Sequence, residues 1–361
     1  MARRSLAEVF DPKANSLNFI RLVLAAGVIF WHAFPLSGAE VEFAPARQLL
    51  GQIWVDGFFA VSGFLIVGAW MRDPDWGRFL AARVLRIFPG YWTCLIITAF
   101  VLAPLSALIA DGLWPWQSIG PSNGSYVISN AVLSINQTGI DGTLTDVPYP
   151  DAWNGSLWTL RWEFLCYLGV LVLGLTRLLT RRLVVPALFV LAVIGSIAAR
   201  FVDVSFVQLD VVARFALMFL AGAVVYLYQS RIPVNWPILA GCAAAVAVTM
   251  FLPDYRVLGA LPLAVLLLGV GALIKSPRLR FANDISYGVY VYAFPVQQIL
   301  ATLGVYRWGI LPFALMGLAC TIPLAAASWF IIEKQAMRLR PRKYAPKTVQ
   351  ELVVDENRYI K

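Results

Sequence analysis

The chain has 361 residues, of which 60% are hydrophobic and only 14% charged, against about 25% charged in an average soluble domain. So much apolar surface cannot be hidden in one soluble core, and the same numbers exclude a disordered chain. The formal net charge of +9 would suit a nucleic-acid partner, but the placement of the basic residues follows membrane topology instead, and no nucleic acid is expected.

Ten apolar stretches follow one another, at 17–36, 52–71, 87–110, 157–176, 183–200, 211–229, 236–252, 257–274, 285–303 and 309–332. A helix that crosses a bilayer needs about 20 such residues. The expected fold is therefore all-α: a polytopic membrane helical bundle of about ten transmembrane helices. A short piece, 1–16, precedes a membrane domain, 17–333, and a basic tail, 334–361, follows it. Lys and Arg set the orientation. With the N-terminus inside, 22 of the 29 fall in cytoplasmic pieces, and only Arg47, Arg200, Arg256 and Arg307 in outer loops. The expectation is a multi-pass protein of the cell (inner) membrane with both termini cytoplasmic and the tail against anionic lipid. A cleaved leader over the first stretch is disfavoured, because Arg21 and His32 would interrupt its apolar core. Cys94, Cys166, Cys242 and Cys320 all lie in apolar runs, so neither a disulfide framework nor a metal site is indicated.

The connection 111–153 has no Lys or Arg, four Asp, and Trp114 and Trp116. A loop of that length is usually functional or disordered. It reads either as an outward lid over a site or as a tolerated insertion. Three Asn-x-Ser/Thr matches, at Asn123, Asn136 and Asn154, lie in or beside it.

Ionisable groups inside spans are costly and mark function by default. The first span carries Arg21 and His32, the sole histidine. Eleven residues are about three helical turns, so both side chains face one way, about 16 Å apart. Asp56 opens the second span at the depth of His32, where a carboxylate would fix the imidazole tautomer and suit it as a general base. Glu163 enters from the same side in the fourth span; Arg161, two residues away, points elsewhere. Arg83 and Arg86, three apart just before the third span, share a helix face. Their guanidinium forks suit phosphate, and with Arg78 and Arg21 they would form a cytoplasmic cradle. A structural reading stays open for each group. Arg21 would snorkel, His32 would bond a neighbouring helix, the acids would make salt bridges or caps, and basic residues before a span are what topology alone predicts.

Together these residues form a recognisable set. Arg21, then ten residues, then His32; Asp56-Gly57-Phe58-Phe59-Ala60-Val61-Ser62-Gly63-Phe64; Arg83 and Arg86; Ser156 to Glu163; and Ser286, Tyr287 and Tyr290 match successive motifs. From Asn18 to about Lys334 the chain resembles the acyltransferase-3 family of membrane O-acyltransferases, which commonly acetylate surface glycans. One departure is clear: many members carry a second histidine where this chain has Ala293, which leaves His32 as the only imidazole. A soluble esterase-like extension of some members is not seen after the last span.

The resemblance implies an acyl-CoA donor, with acetyl the leading choice, bound from the cytoplasm at Arg21, Arg83 and Arg86. It also implies a hydroxyl acceptor on a cell-surface or lipid-linked glycan. His32, with Asp56 and Glu163, would carry the catalysis, either as a base or as an acyl carrier, without a metal. Ser62, in an apolar Gly-rich run, reads as helix packing first. Two alternatives stay open: a small-molecule, macrolide-like acceptor, and a proton-coupled transporter or flippase using His32, Asp56 and Glu163 as a relay. No internal repeat of the transporter kind is seen.

Overall fold

The computed structural model describes residues 4–201 and 208–341. Arg3 and the tail residues Arg342, Lys343, Lys347, Arg358 and Lys361, counted above as cytoplasmic, lie outside them. Among the described residues the chain is helical, and its one β pairing is an isolated bridge between Ser5 and Pro233. In chain order the helices are α1 (Leu6–Val9), α2 (Leu17–His32), α3 (Ala44–Leu50), α4 (Ile53–Arg72) and α5 (Trp76–Ile97). There follow α6 (Ala103–Asp111), α7 (Pro121–Asn130), α8 (Thr159–Leu175), α9 (Val184–Ala198) and α10 (Leu209–Leu227). The last five are α11 (Trp236–Thr249), α12 (Arg256–Leu273), α13 (Ser286–Thr302), α14 (Ile310–Ser328) and α15 (Lys334–Arg338).

Every one of the ten apolar stretches is helical. Among the described residues six helical segments are long and apolar enough to cross a membrane: Leu17–Ser37, Ala44–Arg72, Trp76–Asp111, Leu209–Leu227, Arg256–Leu273 and Ile310–Arg338. The other four, α8, α9, α11 and α13, have 17, 15, 14 and 17 residues.

The third element starts earlier than hydropathy suggests. Asp75 caps α5 by accepting from the Arg78 N–H at 2.7 Å, so Arg78, Arg83 and Arg86 sit on the helix and not in a loop before it. No Gly or Pro interrupts the chain from Arg78 to Phe88, and apolar residues alternate with the arginines. Hydropathy averages those arginines against their neighbours and delays the apparent start.

At its far end α5 runs through a π-turn, Thr98–Leu102, into α6. The Ala103 N–H bonds Thr98 O, and Pro104 has no N–H to offer. Ala99 O is thereby left free, and the Asn123 side chain fills it at 2.6 Å. This bond fastens segment 111–153 to the bundle. Tyr91 OH donates to Asn130 O at 2.5 Å, and Gln298 Nε2 donates to Tyr149 O and Ala152 O at 2.8 and 2.7 Å. The segment is therefore a folded cap with α7 inside it. Asn123 and Asn154 are buried, which excludes both as surface glycan acceptors in this fold.

The core of the bundle is the crossing of α4 and α10. A Cβ on Gly63 would meet Phe219 O at 1.9 Å, and one on Gly222 would meet Ala60 O at 1.8 Å. The two glycines let the backbones touch, as small residues do between membrane helices. A methyl here pushes on backbone, which cannot swing aside. Gly63→Ala and Gly222→Ala should each destabilise by at least about 1–3 kcal/mol, the usual cost of overpacking. Gly241→Ala, where a Cβ meets nothing within 4 Å, should be neutral or slightly stabilising. Thermal unfolding in detergent separates the cases, and equal melting of all three variants would refute the close-contact assignment.

Candidate functional site

Helix α2 carries Arg21 near its start and His32 at its end, and the site is built around these two positions. At the Arg21 end, Arg21 and Arg86 share one carboxylate. Arg21 Nη1 donates to Asp284 Oδ2, and Arg86 Nη2 reaches the same oxygen at 2.6 Å. Arg86 Nη1 also reaches Glu333 Oε2 at 3.4 Å. Its guanidinium lies 5.5 Å from the Tyr287 ring centre and 5.2 Å from that of Trp329, a sandwich that favours a cation. Trp329 and Glu333 come from a π-turn, Trp329–Glu333, at the end of α14. Such turns are frequent at functional sites.

Arg83 is placed differently. It lies over Phe79 and Tyr167, at 5.9 and 5.8 Å, and forms no ion pair among the described residues. Its Nε is buried without a partner, and so is Nε of Arg340, just beyond α15. Burial, then Arg83 and Arg86, push the Arg340 guanidinium below its usual range. Four arginines thus converge, and two have polar atoms left over.

Between the two ends of α2, Arg21 and Glu163 line a cavity of about 30 Å³ with Thr159, Tyr287 and Tyr290. That is room for one water. Glu163 Oε1 accepts from Ser62 Oγ at 2.9 Å and from Tyr167 OH. Ser62 is therefore more than a packing residue: its hydroxyl holds the acid of the Ser156–Glu163 motif. Arg161 is exposed and stays out of the site, as two-residue spacing requires.

The expected pairing of Asp56 with His32 is not made. Asp56 is fully buried and accepts from Arg214 Nε at 3.0 Å, Tyr255 OH at 2.7 Å and Arg256 Nη1 at 3.4 Å. Two cations outcompete one neutral ring for a carboxylate. His32 stands edge-on to Phe294, with ring centres 5.2 Å apart, and its Nδ1 is buried without a partner. Tyr149 of the cap packs on the same Phe294. Gln297 Nε2 ties α13 to Ile29 O, one turn below the histidine, at 3.0 Å. The structure thus brings Arg21, Arg83 and Arg86 together, puts Glu163 beside the cavity, and leaves His32 and Asp56 apart. Among the described residues no group of three or more His, Cys, Asp or Glu side chains could hold a metal ion.

The acyltransferase domain family matches residues 14–331 of this sequence, a span that takes in every residue of the site except Glu333 and Arg340. The chain belongs to the acyltransferase-3 family. It is accordingly an O-acyltransferase. An O-acetyl transferase of Shigella phage Sf6 is 28% identical over 331 residues, covering 90% of this chain and 96% of that protein. Nodulation protein 10 of Rhizobium leguminosarum bv. viciae is 26% identical over 361 residues, covering 90% and 94%. No solved structure matches.

Four residues of this acyltransferase site escaped the sequence reading. Asp284 lies one residue before the 285–303 stretch and Glu333 one residue after the 309–332 stretch, so hydropathy puts neither inside a span. Arg256 was assigned to a loop and Arg340 to the tail. A search for acids just beyond the ends of the apolar stretches finds the first two.

Burial pushes the Asp284 carboxyl up, but Arg21 and Arg86, then Ser286, outweigh it and hold it below its ordinary value. Its contribution to stability is therefore complete above the ordinary carboxylate range and fades only as pH falls through the lowered native value. Removing a partner from a buried ion pair costs about 3–5 kcal/mol. Asp284→Ala and Asp56→Ala should both lose stability of that order in detergent melts at neutral pH. Melting temperatures like that of the parent would show that the arginines find water or lipid instead.

Proposed function

We propose that the chain transfers an acetyl group from cytoplasmic acetyl-CoA to a hydroxyl of a cell-surface or lipid-linked glycan. It would do so as a protein of the inner membrane with ten spans and both termini cytoplasmic. The observation that carries this reading is the layout of α2: a surplus of guanidinium at one end and an unpartnered imidazole at the other. The family supplies acyl transfer. The name of the phage relative supports acetyl, and the 22-to-4 bias of basic residues supports the orientation.

The steps follow from the residues. Arg83, Arg86 and Arg340 receive the phosphates of the donor, and Arg83 is the freest of them to do so. The acyl-bearing arm extends past Arg21 and Glu163 towards His32. The cavity there holds only one water, so its lining must part to admit the arm. His32 takes the proton from the acceptor hydroxyl, the oxygen attacks the thioester carbonyl, and the proton passes to the departing CoA thiolate. A thioester is already activated, so positioning and one base suffice. Asp56 is held by Arg214 and Arg256 and is not the hydrogen-bonded partner of His32.

Mass spectrometry of surface glycans tests the reaction. Cells without the protein should lose one acetyl unit per repeat, and the parent gene should restore it. His32→Ala should restore none while still binding acetyl-CoA. A general base contributes about 10²–10⁴-fold, so the loss should be at least that large. Near-normal turnover by well-folded His32→Ala would remove His32 from the mechanism.

The donor site has a cleaner probe than the motif arginine Arg86, which is also an ion-pair partner. Arg83→Ala should raise the dissociation constant for acetyl-CoA by at least about tenfold, in line with the loss of one charge-assisted hydrogen bond, with little change in melting temperature. Arg83→Lys should recover only part, because lysine lacks the bidentate fork. Unchanged binding by Arg83→Ala would move the phosphates elsewhere.

A further inference from the structure

Beside the Glu163 cavity, α8 also lines a second, larger hollow. Helices α4, α8, α9 and α10 enclose a groove of about 360 Å³ lined by Val67, Trp162, Gly169, Leu188, Phe215 and Phe219 among others. Its named lining is apolar apart from Cys166. At Leu179 it meets a pocket of about 210 Å³ that also holds Thr180, Arg182, Tyr228, Ser230 and Arg231. The pocket contains no acid, and neither arginine forms an ion pair among the described residues. Tyr228 serves both: its OH donates to Arg182 O at 2.8 Å, and its ring lies 5.9 Å from the Arg231 guanidinium. Both arginines lie at the Arg21 end of the bundle.

Gly169 adds an independent observation. It sits in the middle of α8, and a Cβ there would meet nothing within 4 Å. No packing requires a glycine, and in water glycine costs a helix interior about 1 kcal/mol relative to alanine. What its missing side chain does is keep the floor of the groove open.

We propose that this groove and pocket form one binding site for an anionic glycerophospholipid, with an acyl chain along α8 and the phosphate between Arg182 and Arg231. The groove's lining is almost wholly apolar, far short of what a peptide backbone needs, and unsatisfied backbone groups are not tolerated in hydrocarbon. The occupant of the groove is therefore a hydrocarbon chain. The pocket that shares Leu179 with it is suited to an anion, and guanidinium forks match phosphate. A molecule that carries both at the right junction is a phospholipid of the basic, cytoplasmic leaflet.

The test uses the purified full-length protein in detergent, with dioleoylphosphatidylglycerol, dioleoylphosphatidylcholine and inorganic phosphate as separate probes. Native mass spectrometry should show one phosphatidylglycerol bound at least tenfold more tightly than phosphatidylcholine. That lipid should also raise the melting temperature more than phosphate does. The Arg182→Gln, Arg231→Gln pair should abolish the preference between the two lipids. Gly169→Leu should fill the floor and prevent retention of either lipid, with the lipid-free melting temperature unchanged. If Gly169→Leu does not fold, the arginine pair alone decides. Equal affinity for both lipids in the parent, or an unchanged preference in the arginine pair, would overturn the proposal. So would phosphate stabilising as well as the lipid, which would leave an anion pocket without a tail site.

Discussion

The ion pairs at Asp284 hold the rest of the site in place. One carboxylate joins Arg21 of α2 to Arg86 of α5 and heads α13 through Ser286. Three helices remote in sequence are thereby pinned at one end of the bundle. Two guanidinium groups so close would repel, and in a low-dielectric environment neither could be left bare. The carboxylate is what makes their convergence possible, and Glu333 adds a second. Once those ends are fixed, the other end of α2 is fixed as well. Gln297 grips the backbone just below His32, and the edge of Phe294 sets the ring.

Much of this was legible in the sequence for a simple reason: apolar runs of spanning length and charges inside them are both rare, so each is informative. The ten helical stretches, the grouping of Arg83 with Arg86 and the divergence of Arg161 from Glu163 follow from spacing alone. What was not legible depended on partners. Spacing predicts a similar depth for Asp56 and His32. That Arg214 and Arg256 take both carboxylate oxygens is a matter of which helices are neighbours, which spacing cannot say. The early start of α5 was hidden because arginines on a helix look like loop residues to hydropathy. The fold of 111–153 was hidden because it rests on single polar bonds, such as Asn123 to the carbonyl left free before Pro104.

Cys94 shows the same kind of long-range dependence on a small scale. Pro295 lacks an N–H, so Val291 O in α13 loses its helical partner. The Cys94 thiol of α5 donates to that carbonyl at 3.2 Å. A cysteine in an apolar run here caps the carbonyl that Pro295 leaves free on α13, a helix remote in the chain from α5. The same accounting explains Ser62. Its place in a Gly-rich run suggests packing, and its neighbour Gly63 does pack, yet the hydroxyl is spent on Glu163.

Several buried polar atoms in this bundle lack a partner, Ser196 Oγ and Tyr292 OH among them, and three such atoms belong to side chains of the proposed site. His32 Nδ1, Arg83 Nε and Arg340 Nε are buried and unpartnered. An orphaned buried donor or acceptor costs about 1–3 kcal/mol. The chain tolerates this cost at the opposite ends of α2, where a donor's phosphates and an acceptor's hydroxyl would meet it. Elsewhere the fold shows that it can satisfy such groups: Asn123 fills a stray carbonyl, and Asp56 binds three donors. On the function proposed above, an imidazole left free beside an aromatic edge would keep its lone pair or proton for a partner that arrives from outside, and Arg83 would keep its fork in the same way.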